Sequence, residues 1–383
     1  MAKEKARGHF FLLLVVLPLC PLCCSGCMSG FDAATYRPRD GKLISDAAAL
    51  VYSSRYEIHL GGLEKLHPFD IHKYGRIARA LVANGYLASS DFFVPAEATR
   101  EELLLVHTPQ YLASLRSSKN VARHLESKEM KLLPAKSLDE GVLAAFRAST
   151  GGTIVAARQA TRCGLGINIG GGYHHAQPGR GEGFCIYADV PIAIRVLQRE
   201  GLVRRALLVD LDVHQGNGNA VCFAGDDDVF TLSIHEADIY PVPKARSDLD
   251  VELRPPVDDE RYMDVLKHHL PRVIRAARPD LVVVLGGVDT HRDDPLAHFG
   301  MTARGIQDRD AYAVGQARER DIPVLYVTSG GYSPDAWRIQ YGSIANLLVK
   351  FAGVCPGLSA LGPSADKTAP KATVKGIGKL RHK

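Results

Sequence analysis

Two short segments carry residue types that could do chemistry together. GGGYHHAQ holds His174 and His175, and VDLDVHQGN holds Asp210, Asp212 and His214. Asp212 and His214 are two apart at the end of an apolar run, so on a regular strand they share a face and can reach one ion. Asp289, in LGGVDTHRDD, offers a third ligand after another apolar run. Two carboxylates and one imidazole with an open position suit a catalytic zinc or a similar divalent ion such as iron(II). Such an ion acidifies water and polarises a carbonyl oxygen. The adjacent imidazoles supply acid/base capacity: one can take a proton from an attacking water and later give one to a leaving amine. The set points to metal-dependent hydrolysis.

The chain contains its own control. His268-His269 is a second histidine pair, but it lies in the helical pattern MDVLKHHLPRVI, with no strand end or glycine turn to present it. The first pair follows Gly170-Gly171-Gly172, whose bare backbone permits close approach. Asp210 points to the opposite side from Asp212 and is placed to hold the second nitrogen of a histidine. Tyr332, after two glycines, could donate its hydroxyl to the oxyanion of a tetrahedral intermediate.

These residues need a scaffold that brings strand ends together. Strand-like apolar runs occur at 164–169, 205–211, 229–234, 280–285 and 322–328, with helical stretches such as 190–200, 260–277 and 303–320 among them. Continuous apolar strands alternating with helices predict an α/β fold whose parallel sheet is covered on both faces. Each candidate group then falls at or just after the carboxyl end of a strand, where open α/β sheets build their sites. Ser233 and His235 end the third run in the same way.

At 383 residues with 46% hydrophobic content, the chain can bury a sizeable core. The net charge of +5 is concentrated at the two ends, which leaves a slightly acidic body and no electrostatic footprint for nucleic acid. Residues 1–27 have a basic start, an apolar stretch too short to span a bilayer, and small residues before Cys27. That is a signal-peptide layout. Its ending resembles a bacterial lipobox, which implies lipidation of Cys27, membrane anchoring and a place in the bacterial cell envelope. If Met28 is the true start, the protein is instead cytoplasmic. Residues 28–48 read as a tether, 49–355 as the catalytic domain and 356–383 as a disordered basic tail. Cys185 and Cys222 sit in apolar surroundings and read as core.

YHH…GFCIYAD, VDLDVHQGNG, the aspartate of GGVDTHRDDPLAHFG, and TSGGY together resemble the motifs of the zinc-dependent histone deacetylase family. VYSSRYEIHLGGLEKLHPFD and the QGNG variant are most similar to its class IV branch. The resemblance implies a three-layer arginase/deacetylase-like fold, a central mainly parallel sheet, and hydrolysis of an Nε-acyl-lysine amide. It assigns Zn2+ (or Fe2+) to Asp212, His214 and Asp289, and proton transfer to His174 and His175. It pairs Asp210 with His174 and makes Tyr332 the oxyanion donor. Phe184 and Tyr240, with Gly183 and Gly331, match the walls of an acyl-lysine tunnel. Asp210, Asp212, His214, Ser233 and Ile234 match a K+ site. Where many members hold the second histidine with an aspartate, this chain has Asn217. An amide accepts the same bond without adding charge, so His175 should be less basic than beside an aspartate. Substrates of the same chemistry include acyl-lysine proteins, acetylpolyamines and other small N-acyl compounds. A ureohydrolase would need two metals, and Asn217 and His291 stand where further carboxylates would be wanted. A non-enzymatic acyl-lysine binder would not need every ligand and proton-transfer group to be present.

Overall fold

A computed structural model of the protein describes residues 47–60 and 62–352. Cys27, the segment 1–27, nearly all of the tether and the tail 356–383 lie outside the described residues. No helix among the described residues is long and apolar enough to cross a membrane.

Seven strands form one sheet: β1 Ala47–Val51, β2 Gly164–Asn168, β3 Ala206–Asp210, β4 Val229–Glu236, β5 Leu249–Leu253, β6 Leu281–Leu285 and β7 Val324–Val327. Their order is β1-β2-β7-β6-β3-β4-β5 and every pairing is parallel. β2, β3, β6 and β7 are buried at every position. Hence their sequences are unbroken apolar runs rather than alternating ones. Five strands answer the five expected runs. The two additions are the sheet's edges. β5 reads LDVEL and is only partly buried, so its pattern carries charge. β1 begins at Ala47, just inside the segment read as tether.

Successive residues of each central strand enter opposite cores. Leu207 and Val209 join one cluster, while Ala206 and Leu208 join the other. Helices Lys73–Ala83, Asp259–Ala277, Ala303–Arg318 and Ala336–Ala352 contribute to the first cluster; Ala144–Cys163 and Asp189–Arg199 contribute to the second. The result is the expected three-layer arrangement. The Asp258 side chain accepts from Arg261 N–H and Thr302 from Gly305 N–H, fixing where two of the long helices start. Loss of such a cap costs about 1 kcal/mol. His268 is exposed on Asp259–Ala277. Cys185 is buried as expected, but Cys222 is only partly so.

Candidate metal centre

Because all seven strands run the same way, their carboxyl ends open on one edge of the sheet. β7, β6 and β3 are consecutive there. Their following loops supply Ser329 to Tyr332, Asp289, and Asp212 with His214.

Ligand atoms of Asp212, His214 and Asp289 lie within 4.8 Å of one another, and all three residues are buried. His214 Nδ1 stands 3.2 Å from Asp212 Oδ1 and 3.3 Å from Asp289 Oδ2. The remaining carboxylate oxygens are held from behind. Ser329 Oγ and Gly330 N–H donate to Asp212 Oδ2 at 2.9 and 2.8 Å, and Val213 N–H donates to Asp289 Oδ1 at 2.9 Å. Asp289 Oδ2 is buried yet accepts no hydrogen bond. An oriented, orphaned carboxylate oxygen facing an imidazole nitrogen and a second carboxylate is what a cation site presents. The donor set therefore fits a divalent ion. Without one, burial and the nearby Asp212 push the Asp289 carboxyl up to about 7. A side chain at Gly330 would drive its Cβ into Asp289 Oδ2, which explains a glycine at this approach.

The histidine pair arrives on the loop after β2. Gly171 and Gly172 have φ of 73° and 77°, conformations that glycine adopts freely. Asp189 pins this loop, accepting from Gly172 N–H, Tyr173 N–H and Thr153 Oγ. His174 Nδ1 lies 2.9 Å from Asp210 Oδ2, and His175 Nδ1 lies 2.6 Å from Asn217 Oδ1. The two rings are 4.0 Å apart between centroids, too close for both to carry charge cheaply. Burial alone would lower the His174 imidazole, but Asp210 and Asp212 overcome it and raise it to about 9. His175 is pushed well below the ordinary histidine range by burial and by the His174 and His214 charges; the Asn217 bond opposes this only in part. These opposite shifts favour the charged form of His174 and the neutral form of His175.

Tyr332 completes the ring of groups. Its ring centroid lies 6.1 Å from that of His214 and 6.0 Å from that of Phe184, and its N–H donates to Asp294 Oδ2 at 2.8 Å. Burial, then Asp212 and Asp289, hold the phenol far above its usual range, so it keeps its proton. Phe184 has φ of 66° beside Gly183 at 52°; its N–H donates to His124 O at 3.1 Å. Tyr240 packs on His175 at 4.9 Å. Gly331, at φ of 129°, leads into Tyr332. Phe184, Tyr240, Leu296 and Glu126 surround a mouth that reaches His175, His214 and Tyr332. Beyond it is a narrow chamber with a cavity volume of about 60 Å³. It is walled by Ile58, Phe69, Ile71, Leu125, Met130 and Phe146 and touches His174, His175 and Tyr332.

Asp210 pairs in register with Ser233, with Ile234 and His235 fully buried beside them. The sequence reading missed several supporting residues. Ser329 and Gly330 lie in the quoted TSGGY motif, where roles were read only for Gly331 and Tyr332. Asp294 lies in THRDD and acts on backbone. Lys73, 1% exposed, donates to Ser329 O and Gly330 O at 2.9 and 3.3 Å, and nothing in its local sequence marks it.

Residues 67–348 match the histone deacetylase domain. The chain is 38% identical over 334 residues to Histone deacetylase 2 of Arabidopsis thaliana, covering 84% of this chain and 86% of that protein. It is 37% identical over 275 residues to an uncharacterized protein of Picosynechococcus, covering 72% and 90%. Against the acetoin utilization protein AcuC of Staphylococcus aureus, identity is 29% over 323 residues, covering 77% and 79%. The crystal structure of the HDA15 HD domain shares the fold with a TM-score of 0.64 at 22% identity, covering 82% of this chain and 91% of that one. The chain belongs to the histone deacetylase family.

Proposed function

We propose that this protein is a zinc-dependent deacylase that hydrolyses the amide of an Nε-acyl-lysine. The observation that carries this reading is the meeting of Asp212, His214 and Asp289 with the His174–Asp210 and His175–Asn217 pairs and the Tyr332 phenol beside one apolar chamber. A divalent ion bound by the three ligands supplies Lewis acidity towards the carbonyl and acidifies water. His175 does the proton work. Its Nδ1–H faces Asn217 Oδ1, which leaves the Nε2 lone pair free to take a proton from water and pass it to the departing lysine amine. His174, charged through Asp210, and the Tyr332 hydroxyl offset the negative charge that develops on the acyl oxygen. The aromatic faces of Phe184 and Tyr240 grip the lysine methylenes and keep water out, and the chamber takes the acyl group.

QGNG with Asn217 and the segment 51–70 support a class IV placement. Asp210, with backbone carbonyls at Asp212, His214, Ser233 and Ile234, is suited to a structural K+. The composition of residues 1–27 supports a lipid anchor at Cys27 in a bacterial envelope, where the substrate would be an acylated envelope protein. Acetylpolyamines are the second reading: Glu126 at the mouth offers a carboxylate to a distal cationic amine. Turnover of acyl-lysine peptides and acetylspermidine by the wild type, Tyr332→Phe and His175→Ala tests the scheme. A loss of about 10²- to 10³-fold in kcat for the tyrosine variant is expected. Full activity in both variants refutes the scheme.

A further inference from the structure

The His175–Asn217 contact continues one residue further. The Asn217 Nδ2 amide donates to Glu182 Oε1. Glu182 is gripped from two other sides. Gln177 Nε2 donates to the same oxygen at 2.8 Å, and Arg180 Nε lies 2.9 Å from Oε2. The loop itself is pinned: Gln177 N–H donates to Arg180 O at 2.8 Å, and Cys185 N–H to Glu182 O at 2.9 Å. The Glu182 side chain keeps 23% of its exposure, while His175 and Asn217 are buried.

A primary amide can face either way, and its neighbours decide which way it faces. A carboxylate only accepts, so Glu182 demands the NH2 edge of Asn217. The carbonyl edge must then face His175 Nδ1, and that nitrogen must carry the hydrogen. The tautomer with a free Nε2 lone pair follows from a residue that never touches the imidazole. The negative charge that an aspartate at 217 would place beside His175 sits instead one hydrogen bond outward. There it is partly solvated and paired with Arg180, and its desolvation cost is smaller.

We propose that Glu182 is a positioning residue for His175, acting through Asn217, and that residues 182 and 217 form a coupled pair. The coupling has a definite sign. Aspartate at 217 alone sets two carboxylates in contact. Glutamine at 182 then restores a donor–acceptor pair with the direction reversed.

The experiment has two arms on the full chain. In the metal-free, 15N-histidine-labelled protein, long-range 1H–15N spectra report the His175 tautomer, assigned with His175→Ala. A single Nδ1–H form is expected in the wild type, and a mixture in Glu182→Leu. The second arm rests on the deacylase reading and follows turnover of an acyl-lysine peptide. Glu182→Leu should lower kcat by about 10- to 100-fold, the cost of losing an orienting partner of a histidine, with KM within about twofold. Asn217→Asp should lose a similar factor, and Asn217→Asp/Glu182→Gln should recover to within about threefold of wild type. An unchanged tautomer in Glu182→Leu, or a double variant no better than Asn217→Asp, overturns the proposal. A wild type inactive on every acyl substrate overturns the deacylase reading alone, and the spectra still decide the role of Glu182.

Discussion

Replacing Ser329 by alanine removes one of the two donors that hold Asp212 Oδ2, while Gly330 N–H stays at 2.8 Å. A hydrogen bond to a charged acceptor contributes about 1.5–3 kcal/mol. The remaining donor still fixes the carboxylate's orientation, so the loss should fall at the lower end. That corresponds to divalent-ion affinity weaker by about 10- to 30-fold, within the range for outer partners of metal ligands. Asp212 Oδ1, the oxygen nearest His214, is untouched, so kcat at saturating metal should change by less than about threefold. The assay is competition for zinc against a chromogenic chelator, with thermal melts to confirm an intact fold. Affinity within about twofold of wild type would refute the claim that Ser329 stabilises the charged ligand. A loss beyond about 1,000-fold with the fold retained would mean that Ser329 is itself a ligand.

Burial drives the Lys73 ammonium down to about 8, against the pull of Asp289 and Asp212. Its folded pKa thus lies below its unfolded value near 10.4. The unfolded chain binds more protons between these two values, so stability should rise as pH goes from about 8 to 10.5. Relative to Lys73→Met, the metal-free wild type should gain up to about 3 kcal/mol over that window, read from denaturant midpoints; parallel curves would contradict this. The apolar chamber predicts a second trend. Each added acyl methylene that enters it should strengthen binding by about 0.8 kcal/mol, close to fourfold in KM, until the chamber is full. A peptide panel from acetyl to myristoyl checks this, and a preference for acetyl alone would show that the chamber does not receive the chain.

The parts of the fold that were legible are those buried on both faces. GLGIN, ALLVD, LVVVL and VLYV announce themselves because burial on both faces keeps them apolar up to their carboxyl ends, where Asn168 and Asp210 are buried with hydrogen-bond partners. β5 was hidden because an edge strand keeps Asp250 and Glu252 half in solvent, and β1 because its AAALV run is mostly alanine. The ligands and the histidine pair were legible because few reasons exist to place such groups after apolar runs. Their supports were not. Gly330 acts through its backbone, Asp294 acts on backbone, and Ser329 acts through a hydroxyl whose type alone singles out no role. Lys73, at the start of the helix Lys73–Ala83, and Glu182, in a loop, reach the site from segments whose neighbourhood only the tertiary fold defines. Asn217 was visible as a departure, but its meaning depends on the carboxylate behind it.

The central claim is that Asp212, His214 and Asp289 hold the ion on which amide hydrolysis depends. The direct measurement is metal stoichiometry together with turnover of an acyl-lysine peptide, before and after chelation, in the wild type and in Asp289→Ala. The structure predicts one divalent ion per chain, loss of turnover on chelation, recovery with about one equivalent of zinc, and neither binding nor recovery in the variant. Full turnover by the metal-free protein, or one tightly bound ion retained in Asp289→Ala, would contradict it.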